Sequence, residues 1–234
     1  MIPEELFAAA LGLQSPWFID RIEFEHNEQS VVLSKLHLHI MYDPGHVFKN
    51  DSGKECTVYD RVERKWRHVN FFQHECYLYA RVPRIKQPGG SVTTVEVPWS
   101  RPGSSFTLMM EAYCMAIASS GMSLPKVGKL VGLESRVIGR MIDYAVERGL
   151  QRSPLQQVKQ LSIDETSSKK GHNYVTILSD AKAKKVVGIG IGKNKEAVQS
   201  GIQEMEARGS KASKVKEVAI DLSPAFTSAA LEYF

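Results

Sequence analysis

What this 234-residue sequence lacks narrows it first. No apolar run approaches the ~20 residues of a membrane span, and the start shows no basic cluster followed by an apolar stretch, so neither a membrane nor an export route is expected. Cysteine is scarce. Cys56, Cys76 and Cys114 are too few and too scattered for a disulfide framework. No large excess of one charge exists either: 30 Lys and Arg against 26 Asp and Glu leave a formal +4, which permits a polyanionic partner without demanding one. A cytoplasmic protein follows as the expectation.

What is present is a normal globular share of hydrophobic residues, 43%, in a chain long enough for one large domain or two or three small ones. Two short stretches echo each other, Leu161-Ser162-Ile163-Asp164-Glu165 and Val218-Ala219-Ile220-Asp221. In each, apolar residues alternate with small or polar ones, the pattern of a half-buried strand, and an aspartate follows an inward-facing Ile as though closing the strand. If the strands are neighbours, the two carboxylates emerge side by side. Their mutual repulsion is relieved by a shared divalent cation, which points to a magnesium site for phosphoryl-transfer chemistry. The alternative is that Asp simply favours strand ends and turns.

Residues 1–100 read as β-rich. Pro3 to Leu13 predicts a short helix stopped near Gly12, and Ile19–Phe24 and Val31–Met41 predict two strands joined by the polar turn His26-Asn27-Glu28-Gln29. His37 and His39 fall on the face opposite Leu36 and Leu38, too isolated for a metal site. A basic, aromatic segment follows, with Arg64-Lys65-Trp66-Arg67-His68 in one strand and Cys76 to Arg84 in the next. Arg64, Lys65 and Arg67 among aromatic rings suit contact with nucleic acid, and equally a solvated hairpin. The layout is that of a zinc ribbon with its ligands gone. Paired Cys-x-x-Cys knuckles are expected at 56–59 and 87–90, yet only Cys56 stands there, so zinc is not expected.

Residues 101–150 predict three helices: Phe106–Ser119 capped by Ser104-Ser105, a short helix from Ser123-Leu124-Pro125 to Val131, and Arg136–Arg148 closed by Gly149. A short helix, a glycine-bearing turn and a longer helix make the helix-turn-helix layout. Val127, Val131, Leu133, Val137 and Met141 would form its core, leaving Lys126, Lys129, Arg136 and Arg140 for DNA, or merely solvated in a generic helical unit.

Residues 151–234 turn α/β. After the strand to Asp164 come a polar loop from Thr166 to His172, a hairpin of Tyr174–Leu178 and Val186–Ile191, a helix Lys195–Arg208, the strand with Asp221, and a helix from Ser223-Pro224. Three antiparallel strands, a crossover helix and a strand returning beside the first give the order of a ribonuclease-H-like core. Gly188-x-Gly190-x-Gly192 lies within a strand and lacks dinucleotide-loop spacing. The fold class is therefore α+β multidomain: a β-rich, degenerate zinc-ribbon-like domain, a helix-turn-helix and a partial ribonuclease-H-like core.

Ser162-Ile163-Asp164-Glu165, Lys170-Gly171-His172-x-Tyr174 and Asp221-Leu222-Ser223-Pro224-Ala225-Phe226 closely resemble the bacterial insertion-sequence transposases of the ISL-three group. The resemblance runs from the degenerate ribbon to the last residue. It implies a DDE-type transposase that cleaves DNA at the element's terminal inverted repeats and joins the freed 3′ end to a target, using an Asp, Asp, Glu triad and two Mg2+ ions. Asp164 and Asp221 match the first two acids, and Lys170 and His172 lie near enough to touch phosphate. The family's catalytic Glu comes later than Phe234, so the expectation is a truncated portion, inactive alone, with full-length transposase or further copies of itself as partners and the nucleoid as its place. A regulator that occupies element ends without catalysis, and a nuclease of the same fold with another acid as third ligand, are the rival expectations.

Overall fold

The computed structural model describes residues 3–25, 34–50, 52–169, 173–221 and 223–234, with only the backbone of Lys169. It is a mixed α/β chain whose residues group into two compact units, 1–143 and 144–234.

The first unit begins with α1 (Pro3–Leu11), β1 (Trp17–Glu25), β2 (Lys35–Tyr42), the two-residue strands β3 (Phe48–Lys49) and β4 (Glu55–Cys56), the long pair β5 (Val58–Phe71) and β6 (His74–Lys86), and β7 (Val92–Thr94). The expected turn at 26–29 and the start of the second expected strand lie outside the described residues. The main sheet runs β1-β2-β6-β5, with β7 also on β6; β2 and β6 are parallel, the other pairs antiparallel. Side chains alternate across a sheet, so Leu36, Leu38, Ile40, Trp66, Leu78 and Ala80 share the buried face. Trp99 closes that core edge-on against both Trp17 and Trp66, at 5.1 and 5.5 Å between ring centroids. His37 and His39 occupy the other face, as the alternation predicts, together with Tyr77, Tyr79, Lys65 and Arg67.

The helices α2 (Leu108–Ser119) and α3 (Leu124–Val131) follow, and α4 (Ser135–Arg152) runs from the first unit into the second. Two helix boundaries differ from expectation. Helix α2 starts later because Phe106 bridges Arg67 of β5: Arg67 N–H donates to Ser105 O at 2.8 Å and Thr107 N–H to Arg67 O at 3.1 Å, which keeps the chain extended. Thr107, not Ser104 or Ser105, is then the cap, its Oγ1 accepting from Met110 N–H. Helix α4 continues through Gly149 to Arg152, since an interior glycine costs only ~1 kcal/mol while Pro154 bars the residue before it from helical backbone. The core of these helices centres on Met110, Cys114, Val127, Val131, Ile138 and Met141; Leu133 and Val137 are half-buried, and Ile138, absent from the expected set, is fully buried.

The second unit holds β8 (Gln160–Lys169), β9 (Asn173–Asp180), β10 (Lys185–Ile191), α5 (Lys195–Ala207), a 3-10 turn (Ala212–Lys214), β11 (Glu217–Ile220) and α6 (Pro224–Tyr233). The sheet order is β10-β9-β8-β11, with β11 returning parallel to β8. The polar stretch Thr166–Lys169, expected to be loop, is strand: β9 supplies ladder partners whatever the side chains, so Asp164 sits in mid-strand opposite Ile177 rather than at a tip. Helix α5, capped by Asn194, covers one face of the sheet. A Cβ on Gly188 would stand 2.0 Å from the Gly201 carbonyl oxygen, and one on Gly190 only 1.8 Å from that of Ala197. The glycine repeat thus serves close packing of helix on strand.

Candidate functional site

The register of β8 and β11 positions the two acids. Leu161 pairs with Val218, Ser162 with Ala219 and Ile163 with Ile220, so the following residue of each strand is an aspartate. Leu161 and Ile163 are buried against Val198, Met205 and Phe226, while Asp164 and Asp221 are both exposed. By alternation Asp164 projects from the sheet face that α5 does not cover. Asp164 Oδ1 accepts from Glu165 N–H at 2.8 Å, and Asp221 Oδ1 from Ser223 N–H at 3.1 Å. Oδ2 of each is left without a hydrogen-bond partner among the described residues. Ser223 holds the expected N-cap position of α6, although its hydroxyl makes no cap bond. Two hard, exposed carboxylates at adjacent positions are in kind the donors a divalent cation needs. Among the described residues no group of three His, Cys, Asp or Glu side chains forms a metal site. Glu165, given no role by the sequence, reaches Lys193 Nζ at 4.0 Å.

The basic residues divide. Lys126, Lys129, Arg136 and Arg140 are all exposed on α3 and α4, outside the helical core; Arg136 lies 3.7 Å from Glu134. Between these helices the turn folds back tightly, and a Cβ on Gly128 would stand 2.4 Å from Leu133 O. Lys65 is exposed, its Nζ 4.1 Å from the Tyr77 ring centroid, and half-buried Arg64 lies over Trp66 at 5.8 Å. Arg67 corrects the expectation of a DNA contact. It is 6% exposed, and its guanidinium donates to His68 O, to Cys76 O at 3.2 Å and to Asn70 Oδ1. Those bonds replace hydration and occupy the guanidinium inside the unit. Lys170 and His172 lie outside the described residues.

Each histidine of the outer sheet face meets a carboxylate. His37 Nε2 meets Glu25 at 3.1 Å and His39 Nε2 meets Glu23 at 3.0 Å, each ring on its own carboxylate. His68 differs. Burial, with the Arg67 charge beside it, holds its pKa down to about 4. Cys76 is inert in the sheet core, its thiol pushed up to about 12 by burial.

A family model described as a transposase matches residues 161–234, the span of the sheet with both acids. A second, described as the zinc-finger of transposase IS204/IS1001/IS1096/IS1165, matches residues 51–86. The chain is 26% identical over 208 residues to the transposase for insertion sequence element IS1557 of Mycobacterium tuberculosis, covering 81% of this chain and 43% of that protein. It is 24% identical over 179 residues to the transposase for IS1001 of Bordetella parapertussis, covering 74% of this chain and 43% of that one. No solved structure matches. The chain is thus similar in sequence to insertion-sequence transposases. More narrowly, the matched models and relatives point to the ISL-three group, and the chain spans less than half the length of the curated relatives it matches.

Proposed function

We propose that this chain carries the end-binding and first two catalytic acids of a DDE-type transposase, in three functional segments: a degenerate ribbon over 1–100, a helix-turn-helix over 101–150 and a ribonuclease-H-like core over 151–234. The observation that carries the reading is the parallel pairing of Ile163 with Ile220, which gives Asp164 and Asp221 adjacent register positions. These two carboxylates would hold Mg2+, the ion to which a DDE-type site turns. An ion held by them would supply activation of an attacking oxygen and stabilisation of a leaving one in phosphoryl transfer. Lys126, Lys129, Arg136 and Arg140, exposed on a tightly joined helix pair, suit phosphate and base-edge contacts on the terminal inverted repeats. Lys65 and Arg64 of the ribbon, with Lys170, add basic contacts. Further copies of the chain, or full-length transposase, are the protein partners, and the nucleoid is where such a complex works.

A second reading rests on the acid count: among the described residues no third acidic or metal-binding side chain joins Asp164 and Asp221. On that reading the chain occupies element ends as a regulator. Electrophoretic mobility shifts on duplexes carrying the terminal inverted repeats, followed by a Mg2+-dependent nicking assay on the same duplexes, test both. Binding lost in Lys126→Ala/Lys129→Ala/Arg136→Ala/Arg140→Ala but kept in Asp164→Asn/Asp221→Asn is expected. Nicking by the wild type that the Asp variant loses favours the enzyme, and binding without nicking favours the regulator. Unchanged binding by the quadruple variant would overturn the helix-turn-helix assignment.

A further inference from the structure

The family model matched over residues 51–86 is that of a zinc-finger, yet the residues here do not fit zinc. A structural zinc site takes four thiolate or imidazole ligands. Cys56 is buried in β4, its thiol turned to Lys54 O at 3.5 Å, Cys76 lies buried near the start of β6, and Cys114 is buried among the helices. Among the described residues no three His, Cys, Asp or Glu side chains come together as a metal site.

Two hairpin tips are built alike. In the β3–β4 hairpin, Asn50 N–H donates to Lys54 O at 2.9 Å and Gly53 takes φ +76°; in the β6–β7 hairpin, Gln87 N–H donates to Ser91 O at 2.8 Å and Gly90 takes φ +88°. Asn50 and Gln87 therefore hold equivalent places, the last paired residue before each turn. They also meet. Asn50 Nδ2 donates to Gln87 Oε1 at 3.1 Å. Each amide is fixed from behind: Asn50 Oδ1 accepts from Ser52 and Lys54 N–H at 3.1 and 2.8 Å, and Gln87 Nε2 donates to Thr93 Oγ1 at 2.8 Å. Lys49, Lys54 and Lys86, all exposed, flank the tips with positive charge, which opposes a dication.

We infer that this ribbon is metal-free, its two hairpin tips joined by the Asn50–Gln87 amide bridge rather than by a metal ion. An amide pair oriented by its own turns links the tips at no dependence on metal supply or thiol redox state.

The test uses the full chain. Zinc content is measured by mass spectrometry after purification in zinc-supplemented medium, and thermal unfolding is followed with and without EDTA for the wild type, Asn50→Ala, Gln87→Ala and the double variant. Expected are no stoichiometric zinc, a Tm that EDTA leaves unchanged, and a Tm lowered by about 2–4 °C in Gln87→Ala. Because Asn50→Ala also strips its own turn, the cycle decides: the double variant should lose clearly less than the sum of the singles. One zinc per chain, a Tm that falls in EDTA, or strictly additive losses would each overturn the inference.

Discussion

Ile163 of β8 stands directly opposite Ile220 of β11 in a parallel ladder, and each is followed by an exposed aspartate. That relationship joins residues 57 positions apart in sequence, and the proposed chemistry depends on it.

If Asp164 and Asp221 bind a cation together, paramagnetic Mn2+ should broaden the backbone resonances of residues 163–165 and 220–221 in the wild type. Asp164→Asn/Asp221→Asn should abolish the broadening while shifting stability by less than about 1 kcal/mol, because both side chains are exposed. Broadening that persists in the double variant places the cation elsewhere.

The helix-pair cations make a salt-dependence prediction. Binding a phosphate releases condensed counterions, so replacing one of Lys126, Lys129, Arg136 or Arg140 by Ala should flatten the log K against log salt slope by about 1 per phosphate no longer neutralised. Titrations of inverted-repeat duplex at several salt concentrations read the slope directly.

Arg67 should behave as a structural residue. Truncation to Ala leaves the carbonyls of His68 and Cys76 and the Asn70 side chain without their donor and should cost about 2–3 kcal/mol. Urea unfolding measures that loss. A variant that is fully stable yet deficient in DNA binding would return Arg67 to the interface.

The glycine repeat predicts a steric penalty. Gly190→Ala drives a methyl into the Ala197 carbonyl, 1.8 Å away, and should cost about 3 kcal/mol or more in the second unit, whereas Gly149→Ala, with open space around it, should be neutral or slightly stabilising. Denaturant midpoints for the two variants should move in opposite directions or differ by that amount.

His68 makes the fold acid-sensitive. Its Nδ1 lies 2.8 Å from Thr107 Oγ1, which accepts from Met110 N–H and so has its own proton to donate to neutral imidazole. With a folded pKa of about 4 against 6.5 unfolded, the folded chain binds fewer protons between those values. The contribution is therefore complete above pH 6.5 and disappears as pH falls through 4, a change of about 3 kcal/mol. His68→Gln should flatten stability over that window, read from urea midpoints at successive pH values.

The alternation of Leu36, Leu38 and Ile40 against His37 and His39 was legible in the sequence because a strand's period of two is local. The strand order of the second unit was legible as well, since a crossover helix between parallel strands leaves few arrangements. Arg67 was not: a buried and an exposed arginine look alike until the strands around them are assembled. Nor was the Asn50–Gln87 bridge, for neither residue type announces a partner 37 positions away.

The sequence by itself determined the alternating strands, the helices with their glycine and proline stops, and the paired Ile-Asp motifs, because backbone propensity and side-chain period act between near neighbours. Only the tertiary structure decided that β8 runs past Asp164, that α2 waits until Thr107, that Arg67 bonds inside the unit, and that two amides face each other across the hairpin tips. Each of these depends on a hydrogen-bond partner or a packing surface supplied by a distant segment, and no local pattern encodes where that segment will lie.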